Sequence, residues 1–178
     1  MTNKHTTEVE TKALVSKKTY DQIIDVLLDH PDVSKRLEFG DKTDLFWDVG
    51  NDTVEAFVRC RYDEFGKNPG WLIKVQEGGF NKRIEINLPL GKASHMARQH
   101  DYAITGYGSV WDHKPTDCVV SLYYVHELKQ HFIEIESNAR NLDAVYHCER
   151  VLDLGRFDMV DTSGSLFSMV KAKNSTKR

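Results

Sequence analysis

The segment "TEVETKALV", residues 7 to 15, constrains the fold more than any other. In an extended strand, successive side chains point to opposite faces. Glu8, Glu10 and Lys12 therefore share one face, and Val9, Thr11 and Ala13 take the other. The pattern recurs along the chain. In "FVRCRYD", Arg59 and Arg61 share a face opposite Val58 and Cys60. In "NKRIEINL", Arg83 and Glu85 oppose Ile84 and Ile86, and in "FIEIES", Glu134 and Glu136 oppose Ile133 and Ile135. Lys74 stands alone in the apolar "WLIKVQ". Two architectures accommodate such strands. A one-sided antiparallel sheet turns its charges to water. A barrel turns them inward and packs its apolar outside against helices. Recurrence on several strands favours the barrel.

An interior of this kind mixes carboxylates (Glu8, Glu10, Glu85, Glu134, Glu136) with cations (Lys12, Arg59, Arg61, Lys74, Arg83). Charges are costly to dehydrate unless they are paired or bound to something. Clustered carboxylates suit a hard divalent cation, Mg²⁺ or Mn²⁺. Clustered Arg and Lys suit a polyphosphate, which guanidinium matches bidentately. Both together suit a metal-bound polyphosphate.

The remaining elements fit an α+β domain. "SKKTYDQIIDVLLDH", residues 16 to 30, reads as an amphipathic helix capped by Ser16 or Thr19 and followed by Pro31. "NLDAVYHCERVLDLG" reads as a second, with Leu142, Val145, Tyr146 and Leu152 on one side and Gly155 as a stop. "GKASHMARQHDYA", residues 91 to 103, predicts a short helix. "KTDLFWDVG", "VEAFVRCRYD", "WLIKVQE", "KRIEINL", "SVWDHKP", "DCVVSLYYVHE" and "HFIEIES" predict strands. The 178 residues suit one domain, with a polar tail from residue 171 that is expected to be mobile. A formal net charge of -3 gives no global attraction to nucleic acid or anionic lipid. No apolar run is long enough for a membrane span, and the N-terminus lacks a signal-like segment. Three cysteines without CxxC spacing predict free thiols and a cytoplasmic setting. The eight histidines form no HExxH or HxH, so no histidine metal site is expected.

The charged strands also resemble a known family in order as well as in kind. "EVETK" matches the ExExK signature of the CYTH superfamily, the triphosphate tunnel metalloenzymes. "KTDLFWDV" resembles its DtYFDT strand, "FVRCR" its LRxR and "WLIK" its LTxK. "KRIEI" resembles its RxE, "FIEIE" its FxEIE and "SLFSMV" its closing SYxxLL, so the resemblance spans residues 8 to 170. It implies an eight-stranded antiparallel closed β-barrel with helices packed outside. Glu8, Glu10, Glu134 and Glu136 match positions that hold metal. Lys12, Arg59, Arg61, Lys74 and Arg83 match positions that grip phosphates, and Glu85 matches a further acidic tunnel position. Two features depart from the family pattern. In "HKPTD", Lys114 is kept as a phosphate ligand, but Thr116 stands where the family's KxR strand has Arg. Tyr123 or Tyr124 replaces an Asp on the next strand.

The implied activity is metal-dependent hydrolysis of a triphosphate: inorganic triphosphate, thiamine triphosphate, a nucleoside triphosphate or an RNA 5′-triphosphate end. Lys12 or Lys74 would position or deprotonate the nucleophile. The alternatives are a class IV-type adenylate cyclase making cyclic AMP from ATP, and a non-catalytic nucleotide- or polyphosphate-binding domain. The absence of an aromatic segment before ExExK favours hydrolysis over cyclisation.

Overall fold

The computed structural model describes residues 5–51, 53–62, 69–76, 82–88, 99–162 and 164–176. Eight strands form the barrel: β1 (His5–Val15), β2 (Val33–Asp48), β3 (Ala56–Tyr62), β4 (Pro69–Gln76), β5 (Lys82–Leu88), β6 (Tyr102–His113), β7 (Cys118–Val125) and β8 (Gln130–Ser137). They pair antiparallel in the order β5-β4-β3-β2-β6-β7-β8-β1, and β5 pairs back onto β1 to close the circle. The closure uses β1 unequally. Its first half, His5 to Val9, pairs with β5, whereas Ala13 to Val15 pair on that edge with a short ninth strand, β9 (Met159–Asp161). Glu10 to Val15 pair with β8 on the other edge.

The expected inside-out distribution holds. Val15, Trp111, Val120, Leu122, Ile133 and Ile135 point outward and pack against two helices, α1 (Lys17–Asp29) and α2 (Leu142–Val151). Ser16 starts α1, its Oγ accepting from the Thr19 amide at 3.0 Å, and Tyr20, Ile23 and Leu27 form the buried stripe. Asn141 caps α2 in the same way. The buried stripe of α2 is Val145 and Cys148, continued by Leu152; Tyr146, expected on that side, is exposed. A second outer cluster, Trp47, Val58, Cys60 and Trp71, lies on β2, β3 and β4. All three cysteines are free and buried.

A third helix, α3 (Leu166–Ser175), stoppers one end of the barrel. Its Phe167 lies against the inward rings of Phe57 at 4.9 Å and Phe46 at 5.7 Å, between centroids, and meets Tyr102 edge-on. Val125, Phe132 and Val170 complete this apolar floor. The polar tail expected from residue 171 is therefore helical as far as Ser175, because Ser165 caps the helix and Phe167 and Val170 anchor it.

Other expectations need correction. β2 starts at Val33, well before "KTDLFWDVG", because pairing with β6 holds its polar first half in the sheet. A register shift between Phe39 and Lys42 marks a bulge at Gly40–Asp41. "KPT" is a single 3₁₀ turn, where proline suits a helical start better than a ladder. The short helix expected over 91–103 falls on residues 91–98, which lie outside the described residues, while Tyr102 and Ala103 belong to β6. No helix among the described residues is long and apolar enough to cross a membrane.

Candidate active site

The barrel encloses a cavity of about 420 Å³ lined by six acidic and six basic side chains: Glu8, Glu10, Asp44, Glu85, Glu134 and Glu136, with Lys12, Lys42, Arg59, Arg61, Lys74 and Arg83. Strand order sorts them. β1 and β8 carry four of the acids, with Glu10 opposite Glu136 and Lys12 opposite Glu134. β3, β4 and β5 carry Arg59, Arg61, Lys74 and Arg83. An acidic wall thus stands beside a basic one.

Most of the expected residues meet here, and the two walls are bonded to each other. Lys12 Nζ lies 2.9 Å from Glu134 Oε2 and 3.2 Å from Glu10 Oε1. Arg83 also binds Glu10, and Lys74 reaches from β4 to Glu8. Burial alone would lower the pKa of the Lys12 ammonium, but Glu134 and Glu10 outweigh it and hold it above the ordinary lysine value. Burial would raise Glu134, but Lys12 and Lys74 overcome it and keep that carboxyl well below the usual range. Glu136 takes the opposite course. Burial first, then the nearby Glu8 and Glu134, push its pKa up to about 8. Burial and Glu134 likewise raise that of Glu10.

Arg59 faces the cavity without an ion-pair partner among the described residues, and its Nε is buried and unpartnered. Burial and then the neighbouring Arg61 lower its pKa, as expected for a cation in want of an anion. Arg61 is held in a fork by Asp44, with Nε donating to Oδ1 at 2.7 Å.

Asp44 and Lys42 are site residues that sequence reasoning missed. Their signal is the alternation Lys42–Asp44–Phe46 within "KTDLFWDV". Both tyrosines on β7 border the cavity, but Tyr123 is the one whose hydroxyl reaches the carboxylates. Its hydroxyl donates to Glu134 Oε2 at 2.9 Å, and its ring stacks on Phe132. Burial and Glu134 keep it protonated, with a pKa well above the usual tyrosine value. Tyr124 turns its ring outward, to Tyr107 and His131.

Lys114 is not part of the constellation. It lies exposed on the 3₁₀ turn and does not line the cavity. Thr116 is buried in the same turn, bonded to His113 Nδ1 at 2.7 Å, so it is not an inward position awaiting an arginine. A wider external groove of about 820 Å³ beside α1, lined by Lys18, Asp25, His30 and Arg156 among others, brings no comparable set of charges together.

The donor set fits a hard dication, because Glu8, Glu10, Glu134 and Glu136 offer only oxygen. Among the described residues no three acidic, histidine or cysteine side chains converge closely enough to hold an ion in this conformation. The contacts supply the reason: Glu8, Glu10 and Glu134 are taken by Lys74, Arg83 and Lys12. A metal could take those oxygens once the cations turn to another anion.

No family model matches the sequence, nor does any curated protein. Solved structures do match in shape. The PH1819 protein of Pyrococcus horikoshii superposes with a TM-score of 0.65 at 14% identity, over 93% of this chain and 99% of that one. A "putative adenylate cyclase" from Bacillus halodurans gives 0.63 at 15% identity, over 92% of this chain and 97% of that one. The Pct1 RNA triphosphatase of S. pombe, in complex with the Spt5 CTD, gives 0.50 at 12% identity, over 83% of this chain and 77% of that one. The closed barrel and these neighbours agree on one architecture: the chain shares the fold of these structures, an antiparallel β-barrel, and turns its charged side chains into the enclosed cavity.

Proposed function

We propose that this protein is a metal-dependent triphosphatase that hydrolyses a triphosphate held inside the barrel. The observation that carries the reading is Arg59, an inward arginine with a buried, unpartnered Nε on a wall it shares with Arg61, Lys74 and Arg83. A cation whose buried Nε finds no partner among the described residues is costly, and a phosphate oxygen is the anion a guanidinium fits best.

The residues divide the work by wall. Arg59, Arg61, Lys74 and Arg83 bind the phosphate chain and offset its charge. Glu8, Glu10, Glu134 and Glu136 would hold Mg²⁺ or Mn²⁺, which supplies charge neutralisation at the attacked phosphoryl group and the leaving oxygen. Tyr123 orients Glu134. Glu134 and Glu10 keep the Lys12 ammonium protonated, so it serves as a cation that positions ligands rather than as a base. Water attacks the terminal phosphorus in line, the anhydride bond to the next phosphate breaks, and a phosphate and a diphosphate-bearing product leave.

The test is a panel of inorganic triphosphate, thiamine triphosphate and ATP with Mg²⁺ or Mn²⁺, reading phosphate release and cyclic AMP. Phosphate release that EDTA abolishes is the expected result. Cyclic AMP as the main product would assign the cyclase reaction instead, and binding without turnover would leave a sequestering domain.

A further inference from the structure

The end of the barrel opposite α3 is built differently from the charged middle. There the inward side chains of β2 are Leu37 and Phe39, and β6 adds Val110, all half-buried and all lining the cavity. Leu37 stands opposite Val110, and Phe39 stands opposite Gly108. Gly108 leaves the wall beside the Phe39 ring as bare backbone, and nothing larger is tolerated: a Cβ there would sit 2.2 Å from the Leu122 carbonyl oxygen. The bulge at Gly40–Asp41 then returns the strand to polar inward residues, Lys42 and Asp44. Lys42 Nζ lies 4.7 Å from the centroid of the Phe39 ring, where the apolar and charged zones meet.

Resting on the triphosphate reading, we infer that Leu37, Phe39 and Val110 form a shelf for a planar aromatic group esterified to the triphosphate. The substrate class is therefore an organic triphosphate of the nucleotide type rather than inorganic triphosphate. Charge alone would hold three phosphates. It gives no reason for half-buried apolar side chains on one wall of the same cavity. Pockets for organic ligands join such apolar walls to a few placed polar groups. With α3 across the far end, the phosphates lie deepest and the ring remains at the mouth. Phe39 offers it a face, and Lys42 marks where the ring ends and the phosphates begin.

The experiment compares apparent affinities of wild type and Phe39→Ala for ATP and for inorganic triphosphate, each with Mg²⁺, read from the ligand-dependent rise in melting temperature. The preference for ATP over inorganic triphosphate should fall roughly 5- to 100-fold in Phe39→Ala, the range for losing one base–aromatic stack. Phe39→Leu, which keeps apolar volume but loses the flat face, should fall part of the way. Equal losses toward both ligands, or an unchanged ratio, would overturn the shelf and leave the triphosphate reading standing. Failure of wild type to bind either ligand would overturn both.

Discussion

Arg59 and Arg61 lie two positions apart on β3 and line the same cavity, but their surroundings differ. Arg61 is held by Asp44, whereas Arg59 has a buried Nε with no partner. Arg59→Ala should therefore leave the melting temperature of the ligand-free protein unchanged or higher, while weakening triphosphate binding by about 1.5–3 kcal/mol, the scale of one charged hydrogen bond. Arg61→Ala should weaken binding similarly and also cost stability, because it leaves Asp44 unpaired. Calorimetry with a non-hydrolysable triphosphate, beside melts of the free protein, separates the two; a clear drop in the Arg59→Ala melt would show a structural role instead. His113 gives a pH signature far from the cavity. It is fully buried, and burial first, then His30, lower its pKa below the ordinary histidine value. The unfolded chain therefore takes up the proton first. The stability that neutral His113 contributes is complete above about pH 6.5 and is lost as pH falls through its folded pKa. Glu136, raised to about 8, acts in the opposite sense, so the contribution is read by difference. Between pH 7.5 and 5, wild type should lose more unfolding free energy than His113→Gln in denaturant titrations.

Among the elements, α3 has the most specific task. Phe167 is 1% exposed and touches the inward rings of three strands. Phe167→Ala should cost about 3–5 kcal/mol, as for other fully buried phenylalanines, measured by denaturant unfolding; a loss below about 1 kcal/mol would mean that the floor collapses to fill the gap. This helix was the least legible part of the chain. "KAKNSTKR" is polar, and its anchors, Phe167 and Val170, precede it in a segment whose helical period is too short to notice. The barrel strands were legible because alternation is local: Glu8, Glu10 and Lys12 announce a face without reference to anything distant. What a face looks toward is not local. By spacing alone Lys114 and Thr116 continue the pattern, but Pro115 ends the ladder and folds both into a turn. Lys42 and Asp44 passed unnoticed because the Gly40–Asp41 bulge breaks the alternation just before them. Tyr123 and Tyr124 are equivalent candidates in the sequence, and contact with Glu134 distinguishes the first.

At the scale of the whole molecule, most of the interior charges, Arg59 apart, satisfy one another until something replaces them. Triphosphate should draw Lys74, Arg83 and Lys12 from Glu8, Glu10 and Glu134, and a dication should occupy the carboxylates they leave. Each ligand thus removes the competitor of the other, and linkage requires the effect to be reciprocal. Mg²⁺ affinity should rise at least about 5-fold when a non-hydrolysable triphosphate is present, within the usual range of coupling energies. Titrations of the metal with and without the analogue test this, and equal affinities would mean that the walls are independent. The stopper at Phe167 carries a separate consequence, one of traffic. A barrel blocked at one end is a cul-de-sac, so whatever enters phosphate-first must let its products back out past the next arrival. On the proposed triphosphatase reading, incoming substrate and departing diphosphate contend for the doorway opposite α3, and product exit there should help to pace turnover.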